Sequence, residues 1–99
     1  MLDIKKAKEE LKNKSYLEIQ KSTAIKWASR AGASYELAIE EKDIHRKVSI
    51  FQVAEEYHHE AIEHAALYED RGDLLNKIEK ELDHYRDKAS EDLQSSLKS

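Results

Sequence analysis

Proline is absent from the chain, and glycine occurs only at positions 32 and 72. Proline breaks a helix because it lacks the amide hydrogen and its ring clashes with the preceding turn, and glycine weakens a helix by roughly 1 kcal/mol relative to alanine. The chain is instead rich in alanine, leucine, glutamate and lysine, which lose little conformational freedom in a helix. The sequence therefore predicts an all-α protein.

The length of 99 residues suits one domain with one core. We expect a single helical-bundle domain over residues 1–99. It consists of a short N-terminal helix or arm (1–14), a three-helix core (15–94) and a frayed tail (95–99). Because the turns between the long helices are short, the core is predicted to be an antiparallel three-helix bundle.

The N-terminal segment from about Asp3 to Lys12 has the pattern of a short amphipathic helix. Apolar residues stand at positions 4, 7 and 11, with lysines between them. A helix of this length is marginal on its own in water. We therefore expect it to pack on the bundle as a partial fourth helix or to reach a neighbouring subunit.

The first long helix begins at a capping-box pattern. Ser15 and Glu18 can each satisfy an amide at the helix start, so the helix is expected to run from Tyr16 through Gly32 to about Lys42. Its apolar stripe follows the three- and four-residue spacing of a buried face. The stripe consists of Leu17, Ala24, Ala28, Ala31, Tyr35 and Ala38, widened by Trp27 and Ile39.

Asp43 is the expected N-cap of the second long helix, from about Ile44 to Arg71. Its apolar face consists of Ile44, Val48, Ile50, Phe51, Ala54, Tyr57, Ala61, Ile62, Ala65 and Tyr68. A tight reversal is expected at Arg71-Gly72-Asp73, with the glycine in the left-handed conformation and the aspartate capping the next helix. The third long helix carries Leu75, Ile78, Leu82, Tyr85, Ala89 and Leu93 on one face.

Charge and composition argue against several classes of partner. Charged residues make up 38% of the chain, the signs are interspersed and the net charge is −4. Nucleic-acid modules usually carry a clustered basic face, whereas here glutamates interrupt the lysines of residues 5–14. No apolar run approaches the ~20 residues of a membrane span, and the N-terminus lacks a signal-peptide pattern. We expect no nucleic-acid or membrane partner and a cytoplasmic location.

Residues 54–64, A-E-E-Y-H-H-E-A-I-E-H, hold three of the five histidines and four carboxylates. Glu55 with His58, and Glu56 with His59, form Glu-x-x-His pairs whose members share a helix face. The stretch F-Q-V-A-E-E-Y-H-H-E-A resembles the second metal-binding helix of ferritin-like and rubrerythrin-like proteins, and W-A-S-R-A-G-A-S-Y-E-L-A resembles their first. This resemblance implies that Glu55, Glu56, His58 and His59 bind iron or manganese.

The chain departs from the ferritin-like pattern at two places. Ala28 stands where the first helix should carry an inward carboxylate, and the third long helix has no Glu-x-x-His pair. A metal site would therefore be completed only at an oligomer interface. The alternative for His58 is a core-facing histidine that is hydrogen-bonded to Glu55 or to a tyrosine of another helix. Protonation of His58 would then couple packing to pH.

Two further resemblances indicate interaction modules. The stretch L-Y-E-D-R-G-D-L-L-N-K-I-E-K-E-L-D-H-Y is similar to the helix–turn–helix of tetratricopeptide-type proteins. A-E-E-Y-H-H-E-A-I followed on the next helix by E-L-D-H-Y-R-D-K-A resembles a microtubule-interacting-and-trafficking domain. Such domains bind amphipathic peptides in grooves between helices. Neither resemblance assigns functional residues to this chain.

Aromatic residues supply the candidate interface, because aromatic anchors dominate binding energies. The candidates are Trp27, for which core packing is the alternative, and Tyr57, His64 and Tyr68. Three helices also leave several apolar residues uncovered, namely Leu2, Ile4, Leu11, Ile19 and Leu37. Self-association would bury them.

No serine, threonine or lysine stands in a motif of an activated nucleophile, and no glycine-rich phosphate loop occurs. The sequence therefore favours a non-enzymatic interaction or assembly module without a cofactor. Its predicted partners are a second copy and another protein or amphipathic peptide. The alternative function is a ferritin-like iron or manganese protein whose site is completed at an oligomer interface.

Overall fold

The computed structural model describes residues 2–13, 16–69 and 72–98. Within these ranges the chain forms four helices and no strand: α1 (Ile4–Asn13), α2 (Tyr16–Glu40), α3 (Ile44–Tyr68) and α4 (Asp73–Lys98). The prediction of an all-α protein is confirmed. The prediction that α2 continues through Gly32 is also confirmed.

The three long helices pack on one another, with α2 and α3 in the most extensive contact and α4 against both. Gln20 near the start of α2 contacts His64 near the end of α3. At the other end of the helix pair, Ala38 of α2 contacts Lys47 of α3. Lys47 also contacts Asp92 of α4. The chain direction of α3 is therefore opposite to that of both neighbours.

The core combines small residues of α2 and α3 with larger ones of α4. Alanine lets two helix backbones approach closely, and Tyr35 is the largest fully buried side chain. The buried apolar residues are Ala24, Ala31, Tyr35 and Ala38 of α2, Ala54, Ala61 and Ala65 of α3, and Ile78, Leu82 and Ala89 of α4. Half-buried aromatic rings and leucines complete the packing around this alanine seam.

A buried lysine closes one end of the bundle. Lys47 is 4% exposed, and its Nζ donates to the carbonyl oxygens of Ala38 (2.8 Å) and Ile39 (3.1 Å). The last carbonyls of a helix have no amide partner within that helix. Lys47 supplies these donors at the end of α2, and its ion pair with Asp92 (2.5 Å) joins α3 to α4.

Helix α1 lies apart from the long helices. The Asp3 carboxylate begins it by accepting a hydrogen bond from the amide of Lys6 at 3.0 Å. Over the described ranges, no α-carbon of α1 lies within 8 Å of one in α2, α3 or α4. The expected packing of this segment on its own bundle is thus not observed. The other expectation, contact with a neighbouring subunit, stays a prediction.

The connection between α3 and α4 differs from the sequence prediction. Helix α3 ends at Tyr68, and Glu69 caps it in an extended conformation with φ −157° and ψ 108°. The backbone of Gly72 is not left-handed. A Cβ there would instead lie 2.4 Å from the Glu69 side chain, so the glycine permits a close approach. Asp73 is the first residue of α4 and not its cap.

Other helix ends also shift from their predicted positions. Helix α2 ends at Glu40 rather than at about residue 42, whereas α4 continues to Lys98. Residues 95–98, predicted to fray, are therefore helical, and the Ser96 hydroxyl donates to the Asp92 carbonyl at 2.9 Å. The predicted Ser15 cap and the predicted end at Arg71 lie outside the described residues.

Leu17 was predicted to be part of the buried stripe of α2, but its side chain is 48% exposed. The reason is the position of α4. Gly32 of α2 lies beside the Tyr85 ring of α4. Because the two helices run in the same direction, the start of α4, twelve residues before Tyr85, lies beside about Gln20 of α2. Leu17 therefore precedes the part of α2 that α4 covers.

Candidate functional site

The predicted metal ligands lie on two different faces of α3. His58 is 8% exposed and faces the core, whereas Glu55, Glu56 and His59 are exposed. The Nε2 atom of His59 lies 2.9 Å from a carboxylate oxygen of Glu63, one turn further along the helix. His58 is thus buried and His59 exposed, and His59 pairs with a residue outside the predicted set, although both histidines and Glu55 border one cavity.

No group of three or more aspartate, glutamate or histidine side chains in the described part of the chain is arranged to hold a metal ion. Ala28, at the position where ferritin-like proteins would carry an inward carboxylate, is half-buried beside the core. The alternative in which a second subunit completes a metal site stays a prediction.

Tyr35 and His58 form a buried pair between α2 and α3. The Tyr35 hydroxyl lies 2.8 Å from Nδ1 of His58, and the two rings meet edge to face. The predicted hydrogen bond from His58 to a tyrosine of another helix is confirmed. Burial, with Glu55 as a second cause, raises the pKa of Tyr35 to about 12. The hydroxyl therefore keeps its proton at neutral pH.

The other side of the His58 ring faces α4. Its Nε2 lies 3.9 Å from a carboxylate oxygen of Asp83, and the Arg86 guanidinium lies 3.3 Å from the same oxygen. Burial lowers the pKa of His58, and Arg86 lowers it further, whereas Asp83, Glu55 and Glu79 act in the opposite direction. The lowered pKa of His58 therefore favours the neutral imidazole at neutral pH.

A cavity of about 380 Å³ opens beside this pair, lined by Tyr35, Glu55, His58, His59, Ile62 and Arg86. A general base needs an accessible nitrogen lone pair within reach of the substrate proton. Nδ1 of His58 is already hydrogen-bonded with the Tyr35 hydroxyl, and Nε2 faces the carboxylate of Asp83. The arrangement therefore suits a structural link between helices better than proton transfer.

An open acidic groove surrounds Trp27. The rings of Trp27 and Tyr57 lie 5.3 Å apart between centroids, and the Arg30 guanidinium lies 5.2 Å from the Trp27 ring centre. The groove has a volume of about 880 Å³ and is called the tryptophan groove below. Its lining residues are Trp27, Gln52, Glu55, Glu56, Tyr57, His59 and Glu60. It thus combines two aromatic rings with three carboxylates.

The other two predicted interface residues lie further along the contact between α2 and α3. His64 donates from Nδ1 to the side-chain oxygen of Gln20 at 2.6 Å. The Tyr68 ring lies 5.9 Å from the Lys21 ammonium group. The structure thus brings Trp27 and Tyr57 together and engages His64 and Tyr68 in separate contacts within the chain.

A second groove runs between α2 and α4. Its volume is about 490 Å³, and it is lined mainly by Ile25, Ala28, Gly32, Leu74, Ile78, Leu82 and Tyr85. The charged residues at its border, Glu36, Lys77 and Glu81, have mixed signs. This groove is therefore apolar but, unlike the tryptophan groove, has no dominant charge.

None of the helices in the described ranges combines the length with the apolar character that a transmembrane segment requires. Comparison of the chain with protein-family models, with curated proteins and with solved structures found no match. The resemblances to ferritin-like, tetratricopeptide-type and microtubule-interacting-and-trafficking proteins stay predictions from the sequence.

Proposed function

We propose that this chain is a self-associating helical interaction module, in which α2, α3 and α4 form an antiparallel three-helix bundle that serves as the scaffold. The observation that carries the proposal is that α1 exposes apolar side chains and, in the described part of the chain, does not pack on the long helices. Leu2, just before α1, is 88% exposed, and Ile4 of α1 is 61% exposed. Over the described ranges, α1 contacts none of the long helices. A ten-residue helix is marginal alone in water, so α1 gains stability by docking on a partner.

The shape of the molecule supports self-association. A compact chain of this length has a radius of gyration of about 13 Å, whereas this chain has 17.1 Å. An elongated body buries a smaller fraction of its apolar surface. Exposed apolar side chains therefore remain on the long helices as well: Tyr16, Leu17, Ile19, Ile25, Leu37, Val53, Leu67 and Leu97.

The tryptophan groove supports binding through a defined surface. Trp27 and Tyr57 are half-buried, so each ring is held in place and still offers area to a partner. Residues of this kind contribute most of the binding energy in protein interfaces. A second copy is the proposed partner. Binding of another protein or amphipathic peptide, and a cytoplasmic location, remain proposals that rest on the sequence alone.

Light scattering coupled to size exclusion tests the proposal. We expect the mean molar mass to rise from that of one chain toward that of two as the concentration increases into the high micromolar range. Circular dichroism at the same concentrations checks that the helical content is retained. A molar mass of one chain across the whole range would exclude self-association.

The metal-binding alternative predicts a different response. An oligomer completed by iron or manganese would dissociate in EDTA and would contain stoichiometric metal. An interface of apolar side chains and lysine–glutamate pairs is insensitive to EDTA and weakens with added salt, because salt screens exposed charges. Replacement of the exposed pair, Glu56→Gln with His59→Gln, provides the matched control for metal content.

A further inference from the structure

We infer that α1 of one copy docks in the tryptophan groove of a second copy. This inference rests on the proposed self-association and names its surface. Helix α1 supplies an apolar face with basic neighbours, and the groove supplies aromatic rings with acidic neighbours. Both surfaces are exposed in the chain by itself.

The basic side chains of α1 lie on one border of its apolar face. At 100° per residue, Ile4 and Ala7 share a face, and Lys8, Lys12 and Lys5 follow in order around one side of it. All five side chains are exposed. A binding site for α1 therefore needs an apolar surface that is flanked by negative charge.

The tryptophan groove meets this requirement. The rings of Trp27 and Tyr57 form its apolar part, and Glu55, Glu56 and Glu60 line it. Arg30 contributes one cation at the Trp27 ring, so the carboxylates outnumber it.

Two of the three groove carboxylates, those of Glu55 and Glu56, are exposed, whereas a carboxylate oxygen of Glu60 lies 3.7 Å from Nε2 of His64. The lining residue His59 is paired with Glu63 at 2.9 Å, outside the lining of the groove. Val53, one turn before Tyr57 and 39% exposed, extends the apolar surface. The tryptophan groove has the larger excess of carboxylates, three glutamates against Arg30, whereas the groove between α2 and α4 has two glutamates against Lys77.

A second copy is the occupant that fits the position of α1. Over the described ranges, α1 does not approach α2 or α3 of its own chain, the two helices that form the groove. Two copies that exchange α1 fill both grooves in one symmetric dimer. Complementary charges orient the arm, and Ile4 with Leu2 provides the apolar contact.

Two variants separate the arm from the groove. The arm variant is Ile4→Asp, and the groove variant is Glu56→Lys with Glu60→Lys. We expect each variant alone to weaken dimerisation at least about tenfold, which corresponds to 1.4 kcal/mol. An equimolar mixture regains part of the dimerisation, because the intact arm of the groove variant fits the intact groove of the arm variant and so restores one of the two contacts.

Matched controls introduce the same changes of charge at sites outside the proposed contact. Gln94→Asp introduces the same charge at an exposed site on α4, which lines no part of the tryptophan groove. Asp87→Lys with Glu91→Lys repeats the double charge reversal one helical turn apart on α4, at two exposed positions. We expect both controls to dimerise like the unmodified chain. Circular dichroism and thermal unfolding confirm that all variants fold.

The outcomes distinguish the two proposals. If the unmodified chain associates and both test variants associate equally well, the docking site is wrong while self-association stands. If each variant is monomeric and their mixture stays monomeric, the arm does not act between copies and the inference is overturned. A monomeric unmodified chain overturns both proposals.

Discussion

The Tyr35 hydroxyl and Nδ1 of His58 are joined by a 2.8 Å hydrogen bond that crosses from α2 to α3 inside the core. Tyr35 has no exposed surface and His58 is 8% exposed, so both side chains are largely buried. A buried polar group without a partner costs more than the net value of the bond itself. The pair therefore holds α2 and α3 in one register, which a purely alanine-lined contact would specify less strongly.

Replacement of Tyr35 by phenylalanine tests this bond. Tyr35→Phe keeps the ring but leaves Nδ1 of His58 unpaired in the core, and we expect a loss of about 1–2 kcal/mol in the free energy of unfolding. Chemical denaturation monitored by circular dichroism measures the loss. The control is Tyr16→Phe, at a site 64% exposed, which should change stability by less than about 0.5 kcal/mol. Equal losses in the two variants would contradict the prediction.

The pH dependence of stability follows from the lowered pKa of His58, whose main cause is burial and whose second cause is Arg86. The unfolded chain protonates this histidine near pH 6.5, and the folded chain does so only at lower pH. The contribution of neutral His58 to the free energy of unfolding is therefore complete above about pH 6.5. It is lost as pH falls through the pKa of His58 in the folded chain, with a slope of at most about 1.4 kcal/mol per pH unit. Unfolding free energies measured from pH 7.5 to pH 5 should show this decline.

The variant His58→Gln isolates the contribution of His58 from that of other titrating groups. It should have a flatter profile over the same pH range, because the group that takes up the proton is gone. His84→Gln, at an exposed site on α4, should retain the slope of the unmodified chain. A profile for His58→Gln that is parallel to that of the unmodified chain would contradict the assignment.

Lys47→Met should destabilise the bundle by about 2–4 kcal/mol, because it removes a buried cation and leaves carbonyl oxygens and a carboxylate without a donor. The carbonyls are those of Ala38 and Ile39, and the carboxylate is that of Asp92. Thermal or chemical unfolding measures the change. The same substitution at exposed Lys80 should be nearly neutral. A small effect at position 47 would mean that water replaces the ammonium group.

Gly32→Ala should stabilise the chain by about 0.5–1 kcal/mol, since alanine is the better helix former. The added Cβ would lie 3.7 Å from the Tyr85 ring, which is ordinary contact. Gly32→Leu serves as the size control and should destabilise, because its longer side chain overlaps that ring. If alanine also destabilises, the close packing of Tyr85 on α2 is tighter than this distance indicates.

The helices could be predicted because local rules decide them. The lack of proline, the Asp43 cap and the alanine stripes depend only on near neighbours in the sequence, and the structure contains the corresponding helices. The end of α3 was less predictable. Gly72 suggested a left-handed cap, but the helix stops at Tyr68 and Glu69 is extended. The Glu69 side chain approaches Gly72, and this contact could not be predicted from the sequence.

The polar contacts between helices could be predicted only in part. His58 was predicted from its wheel position to reach a tyrosine, but the choice of Tyr35 depends on the register of α2 against α3. Gln20 and Lys47 were missed, although both stand where the apolar spacing would place a core residue. A polar residue at such a position is the available signal. Its partner, Asp92 for Lys47, lies on another helix and follows only from the packing.

The Lys47 ammonium group also distinguishes the two ends of the body formed by α2, α3 and α4. It joins the end of α2, the start of α3 and the later part of α4, whereas α1 precedes the opposite end of α2 in the chain. A surface tether or fluorophore attached beyond Lys98 therefore lies at the Lys47 end of the molecule, one helix length (~37 Å) from the start of α2. Immobilised by that end, the molecule keeps the start of α2, which follows α1 in the chain, away from the surface.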